Sequence, residues 1–217
     1  MMRIFRYTFS LFMLTWLTAG AQTDSLDIRG GLRFGFDISR IAVPYLDEGR
    51  VEYDGSVDLR INKDLYPVIE VGWGNFETEG LNFLYKSTGF SLRAGIDKNY
   101  LKKDNVNEIG MFFAGFRYGV SFFKHEVPDL KISDPYWGDF SGAIPAKSMN
   151  AHWLEFTSGI RAAIFKNIYL GWSLRVRLLI HKSDDNNMSP YYIPGYGKVN
   201  GKNTLSFRYS VFYQLPL

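Results

Sequence analysis

The chain has 217 residues, a formal net charge of +3 and no cysteine, with 17% aromatic residues and 21 glycines. That length holds one domain, and the missing cysteines exclude a disulfide scaffold and thiolate metal ligands. So small a charge, with no basic tract, excludes a nucleic-acid partner, while many aromatics and glycines favour a β architecture with aromatic girdles.

Residues 1–21 carry Arg3 and Arg6, an apolar run from Tyr7 to Leu17, and Ala19-Gly20-Ala21 before Gln22. This is the order of a secretory signal peptide and predicts cleavage after Ala21, leaving 22–217 as the barrel described below. The apolar run is shorter than the ~20 residues a spanning helix needs. No later segment is apolar enough for a membrane helix, and no cysteine offers a lipid-attachment site.

Eight segments of alternating character follow, at about 28–41, 50–62, 65–77, 87–98, 108–123, 152–165, 168–181 and 203–215. The seventh is the clearest: Leu170, Trp172, Leu174, Val176, Leu178 and Ile180 alternate with Gly171, Ser173, Arg175 and Arg177. An extended chain with this pattern shows one face to hydrocarbon and one to a polar interior. The connections alternate as well. Short turns at Lys63-Asp64 and Lys166-Asn167 contrast with long loops at 124–151 and 182–202, the arrangement of periplasmic turns and extracellular loops. The stretch 99–107 is longer than the other turns on its side.

Alternation alone also fits a soluble barrel, apolar inside and polar outside. The basic residues decide between the two. Eight arginines lie on the polar faces, Arg33, Arg60, Arg93, Arg117, Arg161, Arg175, Arg177 and Arg208, with seven acids, Asp37, Glu52, Asp54, Asp58, Glu70, Asp97 and Glu155. All twelve lysines fall in loops, turns or strand ends. A solvated face would use lysine freely, whereas a confined interior favours the planar arginine fork, which can satisfy several carboxylates. Glycines at 35, 72, 95, 119, 159 and 171 leave room for these long side chains. The expected fold is therefore all-β, an eight-stranded antiparallel up-and-down transmembrane β-barrel. Its lumen is read as a polar plug, because eight strands enclose only enough space for side chains. A narrow channel for protons or solutes is the alternative.

The signal, the eight strands and the terminal alternation Phe207, Tyr209, Val211, Tyr213, Leu215, Leu217 together resemble the small outer-membrane β-barrels, with OmpA and OmpX as the architectural types. The loop Tyr191-Tyr192-Ile193-Pro194-Gly195-Tyr196-Gly197 is similar to that of barrel proteins of Bacteroidota. The resemblance implies a cell outer-membrane location, outer-membrane lipid as surroundings and the barrel-insertion machinery as a partner. Such barrels end in Phe, where this chain ends in Leu217 after Pro216.

No motif gives a chemistry, so the expectation is a non-enzymatic protein without cofactor or metal, acting structurally or through its extracellular loops. The stretch 134–140, with Tyr136, Trp137 and Asp139, combines aromatics and carboxylates and is the candidate contact for a glycan or protein ligand. Its plainer reading is a loop folded over the barrel mouth. His181-Lys182-Ser183 superficially looks like the His-x-Ser of barrel lipid A deacylases, which makes a lipid-modifying hydrolase the alternative. Strand parity opposes it: counted from Arg175 and Arg177, His181 and Ser183 point into the lumen. The only nearby acids are Asp184 and Asp185. The three histidines, His125, His152 and His181, lie apart in sequence without carboxylates at metal-ligand spacing.

Overall fold

The structure, a computed structural model, describes residues 31–61, 64–80, 82–101, 110–134, 136, 138–183, 188–199, 201 and 203–215. The expected signal peptide, Trp137, Asp184, Asp185, Pro216 and Leu217 lie outside the described residues. In chain order the elements are β1 (Leu32–Asp37), α1 (Ser39–Leu46), β2 (Arg50–Leu59), β3 (Leu65–Glu79), β4 (Phe83–Asn99), β5 (Gly110–Asp134), β6 (Gly138–Phe165), β7 (Ile168–Lys182), the two-residue β8 (Tyr192–Ile193) and β9 (Gly197–Lys198), and β10 (Asn203–Gln214). Eight of the strands close an antiparallel barrel in the order β1-β10-β7-β6-β5-β4-β3-β2, while β8 and β9 pair only with each other.

The two faces differ as the period-2 pattern requires. Outward side chains include Ile69, Val71, Phe90, Leu92, Phe116, Phe156, Val176 and Phe207, all exposed, whereas Arg93, Asp97 and Glu155 on the inner face are each 0% exposed. The outward side chains form one apolar belt. Lys98 and Lys166 mark its lower edge, and Asn75, Thr88, Lys124 and Asn203 its upper edge. On β7 the belt runs from Ile168 to Leu178, the ~9–11 residues a tilted strand needs to cross hydrocarbon.

Three expectations require correction. The first strand stops at Asp37 rather than 41, because the Asp37 carboxylate accepts the Ser39 N–H and Oγ–H (3.0 and 2.5 Å) and turns the chain into α1. The loop expected at 124–151 is mostly strand: β5 and β6 run on as a hairpin above the belt, and lysines 86, 124, 131 and 147 lie within strands and not at their ends. Its inner face, Phe123, His125, Val127 and Met149, is buried, which gives the extension a core of its own. The third concerns His181. Its partner strand shifts register between His152 and Trp153, so Leu179 stands opposite Trp153 and His181 opposite His152. That bulge reverses the parity. Leu179 packs on the interior cluster, and His181 is exposed on the outer surface.

Candidate functional site

The lumen is a continuous column of ion pairs. Near the short turns the Arg33 guanidinium lies over the Tyr66 ring (4.5 Å) and pairs with Asp58 (2.6 Å). Asp58 also takes Arg161 (2.8 Å), whose second nitrogen reaches Asp97 (3.0 Å), which in turn takes Arg117 (3.1 Å). Glu70 stands at the centre. It lies within ion-pair distance of Arg117, Arg93, Arg175 and Arg208, at 3.0, 3.2, 2.7 and 3.5 Å. Glu155 joins Arg175 to Arg177 (2.8 Å each), and Asp54 collects Arg93, Arg208 and Arg40.

Of the arginines expected inside, Arg60 is the exception. It lies beyond the end of β2, half-exposed and with no carboxylate partner among the described residues, because the pairing with β3 ends at Asp58. Arg40 takes its place. It reaches the lumen from α1, pairing with Glu52, Asp54 and Asp37, and no period-2 reading of strands could have found it. Eight arginines and seven acids are thus buried among the described residues.

Above the column the barrel is closed by the segment 190–197, where Tyr192, Ile193 and Tyr196 are each 0% exposed. The segment is a turn of apolar residues folded into the mouth. Tyr192 stacks on Phe76 (4.6 Å) and donates its hydroxyl to Glu52, Tyr196 meets the edge of Trp153 (5.9 Å), and Arg177 donates to the Tyr196 carbonyl (2.7 Å). Ser87 donates to the Tyr192 carbonyl (3.0 Å), and the Tyr191 N–H donates to Tyr85 Oη (3.2 Å). Burial pushes the Tyr85 phenol, which lies above the belt, up to about 12, so it remains neutral. Lys198 ties the turn to Asp47 after α1 (2.9 Å). The plainer reading given to 134–140, a loop over the mouth, therefore describes 190–197. Its sequence signal was available: four large apolar residues, Tyr191, Tyr192, Ile193 and Tyr196, and a Pro-Gly turn are an unusual composition for a solvated loop.

Gly195 adopts φ +80°, and a Cβ there would overlap the Ser91 side chain. Gly195→Val is expected to unseat the turn and lower stability by about 2–4 kcal/mol, combining backbone strain with overpacking. Urea unfolding in detergent micelles checks this, and an unchanged midpoint would show that the turn is not held as described.

The remaining candidates stand apart from the lumen. Tyr136, Asp139 and Phe140 are exposed at the far end of the β5–β6 hairpin. His152 and His181 face outward as cross-strand partners with ring centroids 6.1 Å apart, and Tyr118 Oη lies 2.8 Å from His152 Nδ1. Ser183 donates to Asn150 Oδ1 (2.8 Å) and accepts the Asn150 N–H (3.1 Å), so its hydroxyl is spent on positioning the chain. Among the described residues, no group of three His, Asp or Glu side chains could hold a metal ion.

A family model described as "Domain of unknown function (DUF6048)" matches residues 1–217. No curated protein matches the sequence. Solved structures similar to this chain include Neisserial surface protein A, 10% identical with a TM-score of 0.46, covering 86% of this chain and 96% of that one. Another is Ail, the attachment invasion locus protein of Yersinia pestis, 9% identical, TM-score 0.44, covering 86% and 97%. The N-terminal β-barrel domain of Pseudomonas aeruginosa OprF is 9% identical, TM-score 0.37, covering 86% and 100%.

Proposed function

The chain belongs to the DUF6048 family, whose description assigns no activity, and from its geometry we propose a non-enzymatic outer-membrane barrel with a plugged interior that acts at the cell surface. The observation that carries this reading is the inversion of its faces: an unbroken apolar exterior around a buried column of charge. In water such an exterior would drive aggregation; in a bilayer the closed sheet satisfies its backbone and the belt meets lipid. The export order of residues 1–21, with cleavage after Ala21, and the alternation of β10 as a signal to the insertion machinery fit a Gram-negative outer membrane. On the likeness of the 191–197 loop, the cell is one of the Bacteroidota.

The surface element is the β5–β6 hairpin. β7 stops opposite Ala151, so about 40 Å of β6 strand, residues 138–150, rises beyond it towards an end carrying Tyr136, Asp139 and Phe140. Aromatics beside a carboxylate suit a glycan or a protein ligand. The outward turn of His181 removes the parity objection to a hydrolase, which is disfavoured instead because the Ser183 hydroxyl is donated to Asn150 Oδ1.

Unboiled protein in SDS is expected to migrate faster than boiled protein, since the closed sheet resists unfolding until heated. Identical migration, with the protein recovered from the soluble periplasm, would sink the membrane assignment.

A further inference from the structure

On the outer face, where the apolar belt ends, lies an open groove of about 460 Å³. Its lower wall is Phe90 and Phe122, which are 62% and 61% exposed; its upper rim is Lys124, Ser148, Asn150 and Ser183. It forms where β7 stops opposite Ala151, so that among the described residues the outward side chains of β6 above that point have no third strand beside them.

The charges lining the groove are one-sided. Among the described residues that line it, Lys124 is the cation and none is a carboxylate. Three other lysines of the upper half are neutralised: Lys86 by Glu77 (3.1 Å), Lys131 by Asp129 (3.1 Å) and Lys198 by Asp47 (2.9 Å). Among the described residues Lys124 has no such partner. The Ser183 bond to Asn150 Oδ1 occupies the acceptor end of that amide and leaves its NH₂ as the end available to a ligand. An apolar wall at hydrocarbon depth beneath a cation and an amide donor is complementary to one class of molecule, an amphiphile with an anionic head.

We propose that this groove seats a lipid of the surrounding leaflet whose phosphate head carries net negative charge, its acyl chain on Phe90 and Phe122 and its phosphate on Lys124 and the Asn150 amide. The proposal rests on the membrane reading above and adds a specific lipid class to it. A soluble anion would have no use for the two phenyl rings, and a neutral lipid none for the unpaired ammonium.

The test is native mass spectrometry of the full mature barrel in detergent micelles doped equally with dimyristoyl phosphatidate and dimyristoyl phosphatidylcholine. Wild type is expected to retain the phosphatidate about fivefold over the phosphatidylcholine, the ~1 kcal/mol of a single exposed charge contact. Lys124→Gln should reduce that ratio to about one, and Lys131→Gln, distal and paired, should leave it unchanged. Phe90→Ser with Phe122→Ser should lower retention of both lipids. Equal retention by wild type, a preference that survives Lys124→Gln, or displacement of the phosphatidate by millimolar inorganic phosphate would each overturn the proposal. The boiled-against-unboiled gel shift on the same samples separates the two readings: without the shift the barrel itself is in doubt, and with the shift but no preference only the groove is.

Discussion

Replacing Glu70 by Gln is expected to cost about 3–5 kcal/mol, read as a fall in the urea midpoint of unfolding in detergent micelles. Glutamine keeps the shape but removes the charge that Arg93, Arg117, Arg175 and Arg208 share. The buried set already holds one more arginine than acids, and the change doubles that excess at the point where four guanidiniums converge. The ion pairs themselves are weak evidence of net stability, since desolvation offsets their attraction, but an unmatched buried charge has no such offset. Arg175→Leu should cost less, about 2 kcal/mol. It balances the interior charge, and Glu70 keeps Arg117 at 3.0 Å while Glu155 keeps Arg177 at 2.8 Å. A Glu70→Gln midpoint equal to wild type, or a larger loss for Arg175→Leu, would contradict this account of the column.

No steady open level is expected in planar-bilayer recordings. The free space among Asp54, Glu70, Arg161, Arg175 and Arg208 is about 20 Å³, room for roughly one water and none for a hydrated ion. Replacing 191–197 by a Gly-Ser linker should also leave the protein non-conducting, because the column below the turn blocks the lumen independently. Large, steady conductance steps in wild type, with Arg175→Leu altering ion selectivity at unchanged stability, would make the protein a channel.

Inside and outside were readable in the sequence wherever a strand separated two solvents. Hydrocarbon and buried charge impose opposite demands on neighbouring residues, so Trp172 next to Ser173 and Val176 next to Arg177 carry the assignment by themselves. Above the belt the contrast fades. From Lys124 onward both faces of the hairpin hold polar residues, and strand looks like loop. A bulge is equally invisible, because the chain keeps its composition while Leu179 turns inward and His181 outward. Arg40 and Arg60 were exchanged for a related reason: the β2 alternation continues in sequence past the last paired residue, whereas Arg40 belongs to Ser-Arg-Ile-Ala-Val-Pro-Tyr-Leu, whose β-branched residues and Pro44 argue against a helix. Only the docking against β2, with Arg40 held by Glu52 and Asp54, makes it one.

The shortness of β1 also governs how the ring is joined. From β2 to β7 each strand pairs with the next along the chain, so those contacts close small loops and form early. Joining the two ends is different: β1 meets β10 across most of the chain length, with its register running only from Arg33↔Gln214 to Asp37↔Ser210. The loop-closure entropy is largest at this ladder, which is as short as the one β1 makes with β2. Assembly thus proceeds as an open, curling sheet whose final act is a clasp, with α1 and the Arg40 guanidinium as its catch. Because β1 makes the two shortest ladders of the ring, this strand sets the lowest-energy route by which the finished ring loosens towards the lipid.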